Sequence, residues 1–397
     1  MFEGLEPLPG DPILSLMAAF RKDPSTDKVD LSAGIYRDQS GRTPIMTAVA
    51  EAEQKVLAEQ QTKAYVGLAG NGLFNEMMQP LIFGTDHPAT ARLRTLQTPG
   101  GSGGLRVAAE FLNATRPDAT LWLSDPSWPN HRPLIGDVGI AVESYPYLDK
   151  ATGTVLFDAM CDTLTRQARP GDFLLLHGSC HNPSGADLSF AEWQTIASLC
   201  VERNLLPFID TAYLGFGNGL DADAAGLRHI ASVVPEAIIV GSCSKNFGLY
   251  KERVGSVTVL ADSVAAADAV FSHLLITVRK IYSMPPDHGA AIVGTILADP
   301  ALRRAWEDEL AECRERMLNL RKGFASELSR ALPDEDFSFL AHQSGMFSML
   351  PLNRSEIDAL REQHHIYAVG SGRINIPGLP DERLDVIADA IASVRET

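Results

Sequence analysis

Short apolar runs alternate with helical patterns of polar and apolar residues through the middle of the chain. Four of these runs have the length of strands and end in polar or small residues: 120–123, 173–177, 206–210 and 238–240. Strands that alternate with helices in this way predict an α/β domain on a largely parallel sheet. Because ligands bind such sheets at the carboxyl ends of the strands, we expect a functional site at that edge.

Two helices in this pattern have clear start signals. Ser189 and Glu192 have the spacing of a capping box, and Asp299 before Pro300 marks the start of a longer helix. In the longer helix, apolar residues recur at spacings of three and four: Leu302, Trp306, Leu310, Cys313, Met317, Leu320, Phe324 and Leu328. Such a stripe predicts a helix that buries one face over many turns.

The part of the chain after this helix has a different pattern. Apolar runs at 337–339 and 346–350 precede a predicted helix at 354–364, and further runs follow at 367–369 and 374–376. This is an α+β arrangement, which predicts a second, smaller domain. The N-terminal segment begins its own helix at Asp11-Pro12, and we expect it to pack there. The predicted division is a large domain at 46–311 and a small domain from 1–45 and 312–397, with a mobile N-terminal segment.

Composition and charge narrow the class of protein. The chain has 397 residues, 45% of them hydrophobic, and a net charge of −16, so nucleic acid is not an expected partner. No run approaches the ~18 apolar residues of a membrane helix, and the first residues do not resemble a signal peptide. The five cysteines include no C-x-x-C pair, and His177, Cys180 and His181 fit a strand-end loop better than a metal site. We therefore expect a cytoplasmic protein with no metal and no membrane contact.

One lysine lies in a setting suited to covalent chemistry. Lys245 follows an apolar run and lies among small hydroxyl residues, with Gly248 close behind and Arg253 eight positions on. Such a lysine can form a Schiff base beside a phosphate held by the hydroxyls and the arginine. Taken alone, the segment fits a surface lysine in a polar turn better than a Schiff-base lysine.

Three other segments are also ambiguous when read singly. A glycine-rich turn at 100–104 precedes a helical pattern from Leu105 to about Leu112, which fits either an anion site or a tight connection. It matches neither a dinucleotide fingerprint nor a P-loop. Asp210 ends a strand and could pair with a protonated ring nitrogen or cap a turn. Asn182-Pro183 also follows a strand, in an ordinary turn sequence.

The order of these segments resembles the class I aminotransferases, which are pyridoxal-phosphate enzymes of the aspartate aminotransferase fold. The likeness runs nearly the whole length of the chain, from Asp11-Pro12-Ile13-Leu14 to Gly345-Met346-Phe347. It is carried by the glycine-rich turn, Trp128, Asn182, Asp210 with Tyr213, Lys245, Arg253 and Arg373. The resemblance implies the type I fold of pyridoxal-phosphate transferases: a large α/β domain with a mainly parallel sheet, and a smaller α+β domain formed by both termini.

The resemblance also implies a role for each residue. Lys245 would bind the cofactor as an internal aldimine and then move a proton between the substrate Cα and the cofactor C4′ on the way to a ketimine. Asp210 would keep the pyridine nitrogen protonated, and Asn182 and Tyr213 would hydrogen-bond the phenolic oxygen. Trp128 would stack on the ring. The phosphate would be held by Gly101, Ser102, Ser242, Ser244 and Arg253.

Substrate binding and assembly follow from the same resemblance. Arg373 would hold the α-carboxylate of the substrate, and Gly34 would cover the substrate from the N-terminal segment. Tyr65 matches a tyrosine that reaches the phosphate of the neighbouring subunit. Arg279 matches an arginine that crosses the interface to bind a side-chain carboxylate. The implied enzyme is a homodimer with shared active sites.

The implied substrates are aromatic or dicarboxylic L-amino acids with 2-oxoglutarate. Aspartate-selective relatives usually have asparagine at Met284 and Ala64 and threonine at Ser102, so this chain resembles the aromatic amino acid aminotransferases with dual specificity more closely. Aspartate aminotransferase is the alternative. A β-lyase or decarboxylase on the same scaffold, and a non-enzymatic regulator, are weaker alternatives: Arg279 favours transamination, and the acidic chain has no basic DNA-binding segment.

Overall fold

The computed structural model describes residues 2–8 and 10–395, and it is an α/β protein built on one seven-stranded sheet. Met1, Pro9, Glu396 and Thr397, which belong to the predicted small domain, lie outside the described residues. The strands are β1 (Val29–Asp30), β2 (Leu93–Pro99), β3 (Thr120–Asp125), β4 (Ala141–Pro146), β5 (Leu148–Asp149), β6 (Thr154–Val155), β7 (Phe173–His177), β8 (Leu206–Thr211), β9 (Ala237–Ser242), β10 (Val254–Leu260), β11 (Phe347–Met349), β12 (Ile366–Tyr367) and β13 (Arg373–Asn375).

Helices cover the sheet and form most of the C-terminal part. They are α1 (Pro12–Lys22), α2 (Thr47–Glu59), α3 (Gly72–Phe83), α4 (Gly100–Thr115), α5 (His131–Gly136), α6 (Phe157–Gln167), α7 (Phe190–Arg203), α8 (Leu220–Val233), α9 (Val264–Ile281), α10 (His288–Ala298), α11 (Pro300–Ala331), α12 (Phe339–His342), α13 (Arg354–His364) and α14 (Leu384–Arg395). Within the described residues, no helix is both long and apolar enough to cross a bilayer.

The large sheet has the order β2-β10-β9-β8-β7-β3-β4. Its strands run parallel except β10, which is antiparallel to both β2 and β9. The predicted largely parallel sheet is thus confirmed, and each of the four predicted strands is present. The parallel strands β3, β7, β8 and β9 end at a common edge, which gathers the residues that follow them.

The predicted helix starts are confirmed. Ser189 and Glu192 form a complete capping box at α7, and Asp299 accepts hydrogen bonds from the first backbone N–H groups of α11. All eight residues of the apolar stripe are buried along α11. This helix continues unbroken past residue 311, and β1 pairs with β12 near the other end of the chain. The domain boundaries at 45/46 and 311/312 remain a prediction.

Two local expectations were wrong. The glycine-rich segment 100–104 is not a turn before a helix, because α4 already begins at Gly100, directly after β2. Residues 337–339 do not form a strand, because α12 begins at Phe339. Phe337 and Phe339 are both buried, and the centres of their rings are 6.3 Å apart. Two buried aromatic residues two positions apart mimic the alternation of a strand although the chain turns between them.

Candidate active site

A cavity of about 280 Å³ opens at the carboxyl edge of the large sheet. It lies between the first turn of α4, the ends of β8 and β9, and the segment around β13. Twelve of the residues predicted for the site line this cavity: Gly34, Gly101, Ser102, Trp128, Asn182, Asp210, Tyr213, Ser242, Ser244, Lys245, Arg253 and Arg373. Residues separated by up to 339 positions in sequence therefore share one concave space of the size usual for small-molecule sites.

Lys245 lies in the turn after β9 and points into this cavity. Its Nζ lies 4.8 Å from the centre of the Tyr213 ring. Removal from water lowers the pKa of Lys245 to about 8, with Arg253 and Arg373 acting in the same direction and Asp210 opposing them. A lysine with this pKa is partly neutral near physiological pH, which a nucleophilic amine requires.

Asp210 lies near the end of β8 and is held by a histidine. His131 Nε2 lies 3.0 Å from Asp210 Oδ2, and the His131 side chain is fully buried. Removal from water raises the pKa of Asp210, but the hydrogen bond from His131 and the electrostatic influence of His131, His177 and Lys245 keep the net pKa below its usual value. Asp210 is therefore an ionised carboxylate at the floor of the cavity, able to stabilise a cation above it.

A chain of hydrogen bonds extends from Asp210 through His131, Ser127 and His177 to the backbone of Asn182. Ser127 Oγ lies 2.9 Å from His131 Nδ1 and 3.2 Å from His177 Nε2, and the backbone N–H of Asn182 donates to His177 Nδ1 at 3.4 Å. A backbone N–H can only donate, so His177 Nδ1 must be the acceptor of this bond. His177 therefore carries its hydrogen on Nε2 and donates it to Ser127. Ser127 then donates to His131, and His131 donates to Asp210. Burial lowers the pKa of His177 to about 3, which fits its neutral role.

Asn182 and Tyr213 form a second polar wall. Asn182 Nδ2 donates to the Tyr213 hydroxyl at 3.2 Å, and both side chains are buried. Burial raises the pKa of Tyr213, so its hydroxyl keeps its proton. Asn182 Oδ1 is buried and has no hydrogen-bond partner among the described residues. Buried polar atoms are nearly always paired, so this oxygen indicates a place for a ligand donor.

The first turn of α4 provides an anion site. Gly101 and Ser102 line the cavity there, and free N–H groups of a helix N-terminus attract negative charge. A Cβ added to Gly101 would lie 3.0 Å from Ser242 Cβ, so the backbone passes close to β9. Arg253 Nη1 donates to Ser244 Oγ at 3.3 Å. The guanidinium of Arg253 therefore lies beside the hydroxyl of Ser244, at the same end of the cavity as Ser242.

The opposite end of the cavity holds a second guanidinium. Arg373 on β13 is buried, donates to the backbone oxygen of Ser32 at 2.8 Å, and lies 4.5 Å from the centre of the Phe347 ring. Burial lowers its pKa. Arg373 makes no ion pair with any described residue, and its Nε has no partner. Gly34 also lies against Phe347, where an added Cβ would come within 3.1 Å of the ring.

Two predicted residues lie outside this cavity. The Tyr65 side chain is 90% exposed. Arg279, near the end of α9, is also exposed, and its side chain hydrogen-bonds Ser283, four positions on. Both had been expected to act across a subunit interface, and a single subunit therefore does not place them at the cavity.

Sequence reasoning missed several residues of the site. His131 holds Asp210, Phe347 supports Arg373, and Ile13, Leu105 and Tyr250 line the cavity. His177 had been assigned to an incidental strand-end loop, but it lines the cavity and joins the Asp210 chain. The available signal was position: His131 follows Trp128 by three residues and His177 ends β7, at the edge where the ligand was expected.

Comparison with known proteins gives a consistent result. Residues 26–391 match the family model described as aminotransferase class I and II. The chain is 47% identical to a tyrosine aminotransferase of Rhizobium meliloti and 43% identical to an aspartate aminotransferase of Escherichia coli. Both alignments cover 99% of this chain and all of the relative. The crystal structure of an aromatic-amino-acid aminotransferase from Burkholderia pseudomallei, covalently bound to pyridoxal phosphate, is similar with a TM-score of 0.96. It shares 41% identity over 99% of each chain.

Proposed function

The chain belongs to the class I and II aminotransferases, and from that premise we propose that it moves amino groups between aromatic or dicarboxylic L-amino acids and 2-oxoglutarate. The observation that supports this most directly is the cavity itself. It joins a lysine of lowered pKa, an ionised aspartate, an anion site and a guanidinium that has no ion pair among the described residues. These four groups fit the aldehyde carbon, the ring nitrogen, the phosphate and the carboxylate of a pyridoxal-phosphate reaction on an amino acid.

The cofactor of this family is pyridoxal phosphate, and the polar groups of the cavity fit it. Asp210 would face the ring nitrogen, and Asn182 with its unpartnered Oδ1 and Tyr213 would face the ring oxygen. The phosphate would be held by Gly101, Ser102, Ser242, Ser244 and Arg253, and Trp128 would pack on the ring. When bound, the cofactor supplies a carbonyl that captures amines and a ring that accepts electrons.

The residues of the chain then have distinct tasks. Lys245 would hold the cofactor, and its amine, once a substrate amine takes its place, would accept the proton from the substrate Cα and return it to the cofactor. Asp210 would favour a proton at the ring nitrogen, because its own carboxylate stays ionised. Arg373 would bind the substrate carboxylate bidentately and orient the substrate relative to Lys245. Gly34 and Phe347 close the site around the carboxylate.

We further propose a cytoplasmic homodimer with shared sites. Tyr65 and Arg279 are exposed in the single subunit, as residues that reach into a neighbour would be. Tyr65 would then bind the partner's cofactor phosphate, and Arg279 would bind a side-chain carboxylate in the partner's cavity. Val66 and Leu73, which follow Tyr65 within eight positions of the sequence, are also exposed apolar residues, consistent with a covered face.

The side-chain pocket favours dual specificity with an aromatic preference. Ile13, Leu105 and Phe347 give the cavity apolar walls, which suit an aromatic ring. Met284, Ser102 and Ala64 replace residues that are larger or more polar in aspartate-selective relatives, and Met adapts its shape to a ring. Differences of this size alter discrimination by about 1–3 kcal/mol, so aspartate is still accepted. Aspartate aminotransferase is the alternative, supported by the likeness to the E. coli enzyme.

The visible spectrum tests the covalent role of Lys245. The protein mixed with pyridoxal phosphate and desalted should show a pH-sensitive band near the wavelengths of a lysine Schiff base. The Lys245→Ala variant should lose this band, and Lys251→Ala, a change to an exposed lysine in the same segment between β9 and β10, should keep it. A band that persists in Lys245→Ala would rule out this assignment.

Comparison of kcat/KM for phenylalanine, tyrosine and aspartate with 2-oxoglutarate tests the substrate preference. We expect the aromatic substrates to lead, with aspartate accepted; a lead of several orders of magnitude for aspartate supports the alternative. Arg279→Leu should lower kcat/KM for aspartate by about 10- to 150-fold, the value of a charge-assisted pair. Phenylalanine should change little, and Lys280→Leu on the same turn should alter neither. Equal losses for both substrates would contradict the role of Arg279.

A mixing experiment tests whether the sites are shared. Lys245→Ala and Arg279→Leu subunits, each inactive or weak with aspartate, are co-expressed with different tags and the hybrid is purified. If Arg279 acts in the partner's cavity, one site of the hybrid combines an intact Lys245 with an intact Arg279, and aspartate activity returns. A hybrid no more active than its parents, or a monomer by sedimentation at micromolar concentration, would overturn the shared site.

A further inference from the structure

Arg321 on α11 is a fully buried arginine with an unusual set of partners. Its side chain is 0% exposed, yet no carboxylate among the described residues forms an ion pair with it. Its two terminal nitrogens donate instead to neutral oxygens, at 2.6–3.3 Å: the backbone oxygens of Leu340, Ser344, Gly345 and Phe347 and the hydroxyl of Ser348. Burial lowers the pKa of Arg321 to about 10. A guanidinium buried without a carboxylate partner is costly, so these five acceptors define its geometry closely.

Asp187 binds the same segment from the other side. Its carboxylate accepts from the backbone N–H groups of Cys180 and His181, at 2.8 Å each, and from the Ser344 hydroxyl at 2.6 Å. Ser344 thus contacts both charged groups, because its backbone oxygen accepts from Arg321. Its backbone N–H also donates to the Gly185 oxygen at 2.9 Å. Ser344 is the point where the loop 180–187 and the segment 344–348 meet.

Each of these two segments carries a group of the active site. The loop carries Asn182, whose amide faces the cavity beside the Tyr213 hydroxyl. The segment carries Phe347, whose ring lies 4.5 Å from the Arg373 guanidinium and 5.9 Å from the Tyr213 ring, edge-on. β11 also pairs directly with β13, so that Met349 lies opposite Arg373. The spacing between Asn182 and Arg373 therefore depends on the junction at Ser344.

We propose that Asp187, Ser344 and Arg321 form a positioning hub that sets the distance between the group facing the cofactor ring, Asn182, and the group that binds the substrate carboxylate, Arg373. The three residues do not line the cavity and touch neither cofactor nor substrate. They act by fixing two neighbouring segments whose relative placement determines whether one amino acid can reach both the ring and the guanidinium. This proposal rests on the proposed transaminase function of the same cavity.

The first test removes one atom of the hub. Ser344→Ala deletes the hydroxyl that binds Asp187 and keeps both backbone contacts of the residue. We expect KM for the amino acid and for the 2-oxo acid to rise about tenfold while kcat changes less than threefold, because the carboxylate site is displaced and the proton-moving groups are not. Ser329→Ala, which removes a hydroxyl bound only to the backbone of α11, is the matched control. An unchanged KM, or equal losses in kcat and KM, would overturn the proposal.

A second measurement does not depend on turnover. Amide hydrogen exchange in the holoenzyme should speed up in Ser344→Ala at residues 180–187 and 345–348, and stay unchanged in Ser329→Ala. The Kd of maleate, a dicarboxylate that cannot react, should rise about tenfold in parallel. If the wild-type protein proves to lack transaminase activity, the proposed function fails while the exchange pattern still tests the hub. Unchanged exchange in both segments would disprove the hub whatever the activity.

Substitution of the two charged residues of the hub, Arg321 and Asp187, provides an independent test. Arg321→Lys keeps the charge but replaces the planar fork by a single ammonium, which cannot reach all five acceptors. We expect it to reproduce the KM effect of Ser344→Ala with a larger size. If Arg321→Lys does not fold, Asp187→Asn, which preserves the shape of the carboxyl group, takes its place. A variant that lowers the melting temperature and leaves KM and maleate binding at wild-type values would show a purely structural role and contradict the proposal.

Discussion

Asp210 and Asp187 are two partly buried aspartates at the same edge of the sheet, and their pKa values shift in opposite directions. Asp210 is bound by His131, with Lys245 nearby, and its pKa is lowered. Asp187 is bound by two backbone N–H groups and a hydroxyl, and removal from water raises its pKa. Asp210 faces the cavity, so its negative charge is available to a ligand. Asp187 instead accepts its hydrogen bonds from other residues of the protein.

The two buried arginines, Arg321 and Arg373, also differ in the number of their hydrogen-bond partners. The terminal nitrogens of Arg321 have five protein acceptors, whereas those of Arg373 have one and its guanidinium lies over a ring; the Nε of each arginine has no partner among the described residues. A guanidinium whose terminal nitrogens have few protein acceptors in a concave site is a candidate for ligand binding, and one whose terminal nitrogens have many is a candidate for positioning. Four variants and one pH series test this distinction.

The largest effect is expected from Asp210→Asn. The neutral amide cannot hold a proton at the ring nitrogen, so kcat should fall about 10²- to 10⁴-fold in steady-state kinetics. Asp187→Asn is the counterpart and should act mainly on KM, with kcat lowered less than tenfold. If the two variants lost kcat equally, the division between a catalytic and a positioning carboxylate would be wrong.

A smaller effect is expected from His131→Phe. Loss of the hydrogen bond to Asp210 removes the main interaction that keeps its pKa low, so the acidic limb of the kcat/KM profile should move to higher pH. At neutral pH we expect a decrease in kcat of about tenfold. His288→Phe, at a histidine that pairs with Glu53 elsewhere in the molecule, is the control and should leave the profile in place. An unshifted acidic limb would contradict the role of His131.

The smallest effect concerns stability. The folded-state pKa of Asp187 lies above the unfolded value near 3.8, so the wild type should gain stability relative to Asp187→Asn as the pH falls from 7 through that folded-state pKa towards 3.8. The slope cannot exceed about 1.4 kcal/mol per pH unit for one proton. The folded-state pKa of Asp210 lies below 3.8, so the stability of the wild type relative to Asp210→Asn should not rise over the same range and should decrease below about pH 5. Chemical denaturation at fixed protein concentration measures both curves, and parallel curves would contradict the opposite shifts.

The sequence predicted the parallel strands and the helix starts, because their signals are local. Phe173–His177 is an uninterrupted apolar run, and Asp299-Pro300 is a local cap. It did not predict β10, because Gly255, Ser256 and Thr258 interrupt its apolar pattern although all are buried. Thr258 is accommodated by a hydrogen bond of 2.8 Å between its hydroxyl and that of Thr95, on the neighbouring strand. Such cross-strand pairing cannot be seen in the pattern of one segment.

The candidate site divides in the same way. Lys245 and Arg253 belong to one local motif, so their neighbourhood could be predicted from spacing together with the family resemblance. Phe347 and Arg373 meet only because β11 pairs with β13, and Arg321 reaches Ser344 only because α11 packs beneath this segment. Residues that act through tertiary contacts carry no signal in their own stretch of sequence. The same is true of Tyr65 and Arg279, because their proposed roles depend on contacts with a second subunit.

In the hydrogen-bond chain from Asn182 to Asp210 every donor points towards Asp210. The tautomers of the two histidines in the chain are therefore linked. Both imidazoles must carry their hydrogen on Nε2, because the chain begins at a backbone N–H that can only donate. Because His177 Nδ1 faces a backbone N–H, His177 cannot move its hydrogen to Nδ1 without losing the first link of the chain. In ¹⁵N magnetic resonance, His177 and His131 should therefore both give the signature of a hydrogen on Nε2. The backbone of Asn182, at the ring-oxygen end of the cavity, and Asp210, at its ring-nitrogen end, are then joined through two histidines whose tautomers are fixed by the same chain.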